Sequence, residues 1–408
     1  MNLQWTAEER AFREEVAAFF EREMSDDLRA AGRWMTSVYG DHQLAMRWQL
    51  KLLAQGWLAP SWPVEHGGCD WSVARHYIFA QEKAKAFAPP TSPMGLQMCA
   101  PALIAFGTAE QKAFFLPRML SGEHFWCQGY SEPEAGSDLA ALSMPAEDVG
   151  DALLCHGSKI WSTHAHVANW VFCLVRTSRE DRSQKGISFV LIDMRSPGVE
   201  VRPMVSLTGE HIQNEIVFDR VRVPKTQVVG RIGEGWTVAK YLLEFERGGA
   251  AYAPQMLARL RELRGFARQA PGQAGRSLAE DPLFMARLAE VECQVRALEM
   301  YELQTLSALA KGGSPGASAS VLKILGTELQ QAVTELGLDA AGHYGLAFQP
   351  QAGFTGGAVG IAHGGPSFHG ERLAALAPLR YLNERAGSIY AGTNEIQRNI
   401  LAKTALGL

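Results

Sequence analysis

No stretch of this chain approaches the roughly 20 consecutive apolar residues that a bilayer-spanning helix needs, so no membrane span is expected. A basic leader followed by an apolar run is also missing. The N-terminus carries polar, acidic Thr6-Ala7-Glu8-Glu9 instead, and the chain is read as cytoplasmic and untargeted. There is no excess of one charge sign: 39 basic against 43 acidic residues leave a net charge of −4. That balance excludes a broad nucleic-acid surface and leaves any phosphate-bearing ligand to be held locally. The six cysteines, Cys69, Cys99, Cys127, Cys155, Cys173 and Cys293, show no C-x-x-C spacing. Most stand among apolar neighbours, as buried free thiols of a reducing compartment do. No internal repeat is found, and no metal is expected.

What is present is ordinary globular material, 47% apolar and 20% charged, in a chain of 408 residues. That length favours two or three domains or one large unit. Region 1–124 reads as helical: Thr6 with Glu9 makes a capping box, and Phe12, Val16, Phe19 and Phe20 recur on one face. Pro60, Pro63, Gly67 and Gly68 punctuate it, and Pro89-Pro90 ends a second helical stretch over Val73–Lys85. Region 125–232 turns to β character. Trp170–Val175, Ile187–Ile192 and Ile216–Val223 are short β-branched and aromatic runs without helix-length spacers, which predicts an antiparallel barrel or sandwich. Region 233–408 returns to the helical period, with stripes Leu288, Val291, Val295, Leu298 and Leu322, Leu325, Leu329, Val333, Leu336, as in a helix bundle. A Gly- and Pro-rich interruption from Gly342 to Pro378 is too long for a simple connection. The class is therefore α+β multidomain, mainly α.

Four segments can carry chemistry. Tyr130-Ser131-Glu132-Pro133-Glu134-Ala135-Gly136-Ser137-Asp138 gathers hydroxyls and exposed N–H groups in a turn, suited to an electron-rich ligand edge, to a phosphate or to nothing beyond a turn. In Gly157-Ser158-Lys159-Ile160-Trp161-Ser162-Thr163-His164, Trp161 offers a flat apolar wall and Thr163 a donor, while core packing is the plain alternative. Glu246, in Glu244-Phe245-Glu246-Arg247, follows Leu242 and Leu243 by four and three residues. A carboxyl half-sunk beside that stripe has a raised pKa and can act as a base; a solvated helix Glu is the plain reading. Lastly, Ile389-Tyr390-Ala391-Gly392-Thr393-Asn394-Glu395-Ile396-Gln397-Arg398 breaks and restarts a helix, either as an interhelical turn or as a helix N-terminus facing an anion or carbonyl oxygen.

Taken in this order, with Gly56-Trp57-Leu58, Trp62-Pro63, Gly67-Gly68, Gly107-Thr108-Ala109-Glu110-Gln111-Lys112 and Leu116-Pro117 upstream, the segments resemble the acyl-CoA dehydrogenase family over nearly the whole chain. The resemblance implies an N-terminal helical domain, a middle β-domain and a C-terminal four-helix bundle, with FAD between the last two and across a subunit interface. It implies that Tyr130, Ser131, Trp161, Ser162 and Thr163 line the flavin, and that Ser137 joins them where the thioester ligand lies. Thr393 and Glu395 then approach FAD, and Arg247, Ala391 and Gly392 contact substrate. Many members carry the catalytic Glu directly before the Gly-Thr of the last motif, where this chain has Ala391. A subset resembling isovaleryl-CoA dehydrogenases places it on the first helix of the bundle, which aligns Glu246 with the base. The backbone N–H at Ala391 is retained as a donor to the thioester oxygen.

Two family features are not evident: an Arg-x-x-Phe-Gly segment around Arg268–Arg276, and a Gln-rich Gly-Gly stretch, represented only by Leu338-Asp339-Ala340-Ala341-Gly342. With the long interruption, this is similar to bacterial members that form heteromeric pairs on bulky or dicarboxylic acyl-CoA esters. The implied function is FAD-dependent α,β-dehydrogenation of an acyl-CoA in a homo- or hetero-oligomer, with an electron-transferring flavoprotein as acceptor. A non-catalytic partner subunit, an acyl-carrier-protein dehydrogenase and a flavin oxidase are the alternatives on the same fold.

Overall fold

The capping box expected at the N-terminus forms: the Glu9 N–H donates to Thr6 Oγ1 at 3.1 Å and the Thr6 N–H to Glu9 Oε2 at 2.7 Å. In this computed structural model, residues 5–248, 251–272, 275–310, 316–359 and 368–408 are described, without the side chains of 244–248. The helices are α1 (Ala7–Glu23), α2 (Asp26–Arg33), α3 (His42–Gln55), α4 (Val73–Lys85), α5 (Ala100–Phe106) and α6 (Ala109–Ser121), then α7 (Gly235–Gly248), α8 (Ala253–Ala267), α9 (Pro282–Leu309), α10 (Gly316–Ala341), α11 (Arg372–Glu384) and α12 (Asn394–Ala405). Between α6 and α7 lie strands β1 (Trp126–Gly129), β2 (Ala146–Asp148), β3 (Ala152–Lys159), β4 (Trp170–Arg176), β5 (Ile187–Asp193), β6 (Val199–Val205), β7 (Glu210–Pro224) and β8 (Val228–Val229). None of the described helices is long and apolar enough to cross a membrane.

The chain divides into two compact units, one of Met1–Ala45, Trp71–Pro90 and Arg247–Leu408, the other of Met46–Asp70 and Thr91–Glu246. The first is all helical at its centre. Phe12, Val16, Phe19 and Phe20 are buried on α1, which packs against α4. Leu257, Leu260, Leu288, Val295, Leu298, Leu329 and Leu336 join α8, α9 and α10 in one apolar core. Leu325 leaves the stripe expected of it and is 40% exposed. Pro378, read as part of a loop, stands inside α11. Its missing N–H is tolerated because Ala374, Ala375, Leu376, Ala377 and Leu379 around it are all buried, and packing overrides the local penalty.

The second unit is built on two sheets, one ordered β1-β4-β5-β8 and one β2-β3-β7-β6. Val171, Cys173, Val190, Ile192, Ile216, Phe218, Val221 and Val223 belong to one continuous core, the two-sheet architecture expected from the β-rich run. One pairing departs from the antiparallel expectation: β1 runs parallel to β4, Trp126 beside Trp170. Some forty residues, including β2 and β3, separate these strands, and a connection of that length permits a parallel return where a hairpin does not.

Candidate active site

The loop after β1 and the loop after β3 meet side by side. The Ile160 N–H donates to the Ser131 carbonyl at 2.9 Å, Lys159 Nζ to the Tyr130 carbonyl at 3.1 Å, and Ser162 Oγ to the Gln128 carbonyl at 2.9 Å. Trp161 and His164 hold left-handed backbone, φ +60° and +59°. A bulky side chain rarely adopts that region, and here it turns the Trp161 indole outward, 61% exposed, while Ser162, Thr163 and His164 stay buried. Among the described residues, the Ser131 hydroxyl and the N–H groups of Ser131 and Trp161 donate to no protein acceptor. An open indole face beside unused donors fits a flat conjugated ring with a polar edge, so Ser131, Trp161 and their neighbours suit a flavin. Tyr130 is buried in this cluster, and Ser137 is exposed on the same loop.

Two supports of these loops were not read from the sequence. Lys159 is fully buried and pairs with Glu132 at 2.7 Å. Glu132 also accepts from the Ser143 and Met144 N–H groups, at 2.7 and 3.0 Å. Burial works against the Glu132 charge, but the ammonium and these N–H groups outweigh it and hold the carboxyl below its ordinary pKa. Asn214, also fully buried, clamps Ser162 from both sides: its carbonyl accepts from the Ser162 N–H at 2.9 Å and its Nδ2 donates to the Ser162 carbonyl at 3.0 Å. Glu132 and Lys159 lie inside the motifs, but nothing in a linear motif marks a charged side chain as buried.

Glu246 and Arg247 fall in the last turn of α7; their side chains lie outside the described residues.

In the other unit, the last motif forms a tight turn before α12. Ala391 and Gly392 are both left-handed, φ +57° and +80°. The φ of Gly392 is what favours glycine in the turn, and a Cβ there would also make the Gln397 side-chain amide, 2.6 Å away, shift. Thr393 caps α12, its Oγ1 accepting from the Ile396 N–H at 3.2 Å, and Glu395 is exposed in the first turn. Hydrogen bonds from its own N–H and from the Thr393 hydroxyl hold the Glu395 pKa down. Beneath the turn, Lys323 of α10, 1% exposed, donates to Asn394 Oδ1 at 2.9 Å and to the Gly387 carbonyl at 3.2 Å. Ser320, Lys323 and Thr327 recur at three and four residues, a polar stripe that the sequence does display.

Glu302 of α9 accepts from the N–H groups of Tyr252 and Ala253, at 2.7 and 3.1 Å, and so caps the start of α8. Burial raises its pKa to about 7, with the Glu299 charge adding to the rise. It follows Val295 by seven residues and Leu298 by four, which would have put it on the buried stripe. A cavity of about 120 Å³ opens in the same unit, lined by Met256, Phe266, Val333, Ala377 and Glu384 among others. Burial likewise raises the Glu384 pKa to about 7, and its carboxyl lies within electrostatic range of the Tyr390 phenol.

Family profiles match almost end to end: acyl-CoA dehydrogenase N-terminal domain over residues 6–123, middle domain over 127–221 and C-terminal domain over 233–406. The chain belongs to the acyl-CoA dehydrogenase family. It is an enzyme of that class, whose members are flavoproteins. It is 38% identical over 362 residues to acyl-CoA dehydrogenase IpdE1 of Mycobacterium tuberculosis, covering 88% of this chain and 87% of that one. The crystal structure of the ChsE4–ChsE5 complex from Mycobacterium tuberculosis superposes with a TM-score of 0.81 at 28% identity, covering 100% of this chain and 99% of the other. The Tcur3481–Tcur3483 steroid ACAD gives 0.82 at 27% identity, with the same coverage. The helical, β and helical regions of the sequence are thus those of an acyl-CoA dehydrogenase.

Proposed function

We propose that this dehydrogenase converts an acyl-CoA thioester to its trans-2-enoyl-CoA with FAD, Glu246 removing the α-proton. The observation that carries the reading is the outward Trp161 indole beside the unused donors of Ser131. Trp161 forms the wall for the ring, Ser131 and Thr163 meet its polar edge, and Tyr130, Ser162 and Ser137 complete the pocket; Thr393 and Glu395 keep the FAD contact that the family resemblance assigns them. FAD, when bound, supplies the acceptor for the β-hydride. The α-proton of a thioester is weakly acidic, so its removal needs charge stabilised on the carbonyl oxygen as it develops. The Ala391 N–H is the donor assigned to that oxygen, and a methyl side chain there leaves it intact. Gly392 and Arg247 hold the remaining substrate contacts.

The acyl group is taken to be bulky, which the steroid description of one structural neighbour supports. One neighbour is the ChsE4–ChsE5 complex and the name of another joins Tcur3481 with Tcur3483, so a hetero-oligomer passing its electrons to an electron-transferring flavoprotein is proposed over an isolated subunit. The test is anaerobic titration with a panel of acyl-CoA esters, following the visible flavin spectrum. Wild type is expected to bleach, and Glu246→Gln to bind ester but bleach at least roughly a hundredfold more slowly, the scale of a lost general base. A flavin that stays oxidised with every ester sinks the dehydrogenase reading and favours a non-catalytic partner subunit; unchanged bleaching by the variant moves the base elsewhere.

A further inference from the structure

We propose that Lys323 is a positioning residue for the thioester oxygen's donor, stapling both ends of the turn that carries the Ala391 N–H; this rests on the oxyanion role given to Ala391 above. The ammonium bridges two points seven residues apart, the Gly387 carbonyl at 3.2 Å and Asn394 Oδ1 at 2.9 Å. Everything between them, including left-handed Ala391 and Gly392, is a short arch whose two feet share one cation.

The same face of the helix reinforces each foot. Gln331 Nε2 donates to Ser388 Oγ at 3.2 Å and to the Glu384 carbonyl at 3.3 Å. Thr327 Oγ1 donates to Asn394 Oδ1 at 3.2 Å, and Ser320 Oγ to Gln397 Oε1 at 2.8 Å. Asn394 and Gln397 are 2% and 0% exposed, so these bonds do not compete with water. Lys323 is the member that reaches both feet. Taking an ammonium out of water is costly, and a helix-to-helix contact could be made by an apolar side chain at no such cost. What an apolar side chain cannot do is fix the span of the arch, and with it the place of an N–H that meets the thioester oxygen and strengthens its bond as charge grows there. A donor displaced by about 1 Å loses its modest hold on the ground-state carbonyl and a larger share of its effect on the transition state.

The test uses FAD-loaded protein in the assembly in which it purifies, with Lys323→Met, which keeps the chain length and removes the ammonium. Benzoyl-CoA has no α-proton and cannot be turned over; S-benzyl-CoA differs from it only in lacking the carbonyl oxygen. Wild type is expected to bind the thioester more tightly than the thioether and to lower the frequency of its carbonyl stretch in difference infrared spectra. Lys323→Met is expected to lose most of both, and to lower kcat on the best acyl-CoA by roughly ten- to hundredfold with KM within about threefold. If the variant does not fold, Asn394→Ala removes one foot while the ammonium still holds Gly387, and the same losses are expected. A carbonyl shift and thioester preference that survive in the variant overturn the role of Lys323 alone. Wild type that shows neither preference nor shift overturns the Ala391 assignment, and this inference with it.

Discussion

A carboxyl that keeps its proton to about pH 7 makes a residue-scale signature in stability. Glu302 titrates near 7 in the folded protein and near its ordinary 4.5 when unfolded. Between those values the folded state holds more protons, so stability falls as pH rises from 4.5 to 7, and the whole loss stands above 7. The shift corresponds to at most roughly 3 kcal/mol. Glu302→Gln keeps an oxygen for the Tyr252 and Ala253 N–H groups and carries no charge. Its unfolding temperature relative to wild type is expected to climb between pH 5 and pH 8. Glu384 slopes the same way in both proteins and cancels in the comparison. A difference that stays flat with pH would show that Glu302 is ionised throughout.

At the scale of elements, the join between the β1 and β3 loops depends on a buried ion pair. Removing one partner of such a pair costs about 3–5 kcal/mol, because the other charge is stranded, whereas replacing both costs far less. Lys159→Met is therefore expected to lower the urea midpoint more than the double variant Glu132→Gln/Lys159→Met, and to release FAD as its loops part. A double variant as unstable as the single one would assign the effect to packing. These supports also mark where reading the sequence stops. Helix α4 was legible to its end residues, and the α1 face to each buried side chain, because local capping and a 3.6-residue period decide both. The parallel β1–β4 pairing, the exposure of Leu325 and the passage of α11 through Pro378 are settled by distant chain, which no local pattern encodes. In the site, the motifs gave the loops and the α12 cap; the ammonium groups of Lys159 and Lys323 that brace them come into view only once their partners are placed.

On the scale of the whole molecule, the two units differ in a chemical label they already carry. Cys99, Cys127, Cys155 and Cys173 are buried and Cys69 half-buried, all in the unit that holds the sheets, whereas exposed Cys293 belongs to the helical unit. Burial raises the Cys155 thiol to about 12 and Cys173 to about 11, and Cys99 and Cys127 upward as well, so they are poor nucleophiles while folded. Native protein is expected to take one equivalent of iodoacetamide quickly, at Cys293, and the sheet thiols only as that unit opens, which mass spectrometry of timed digests resolves. A pulse of alkylating reagent thus becomes a clock for one half of the chain alone. Added FAD should slow that clock if the cofactor steadies the sheet loops, giving a measure of cofactor grip that needs neither substrate nor turnover.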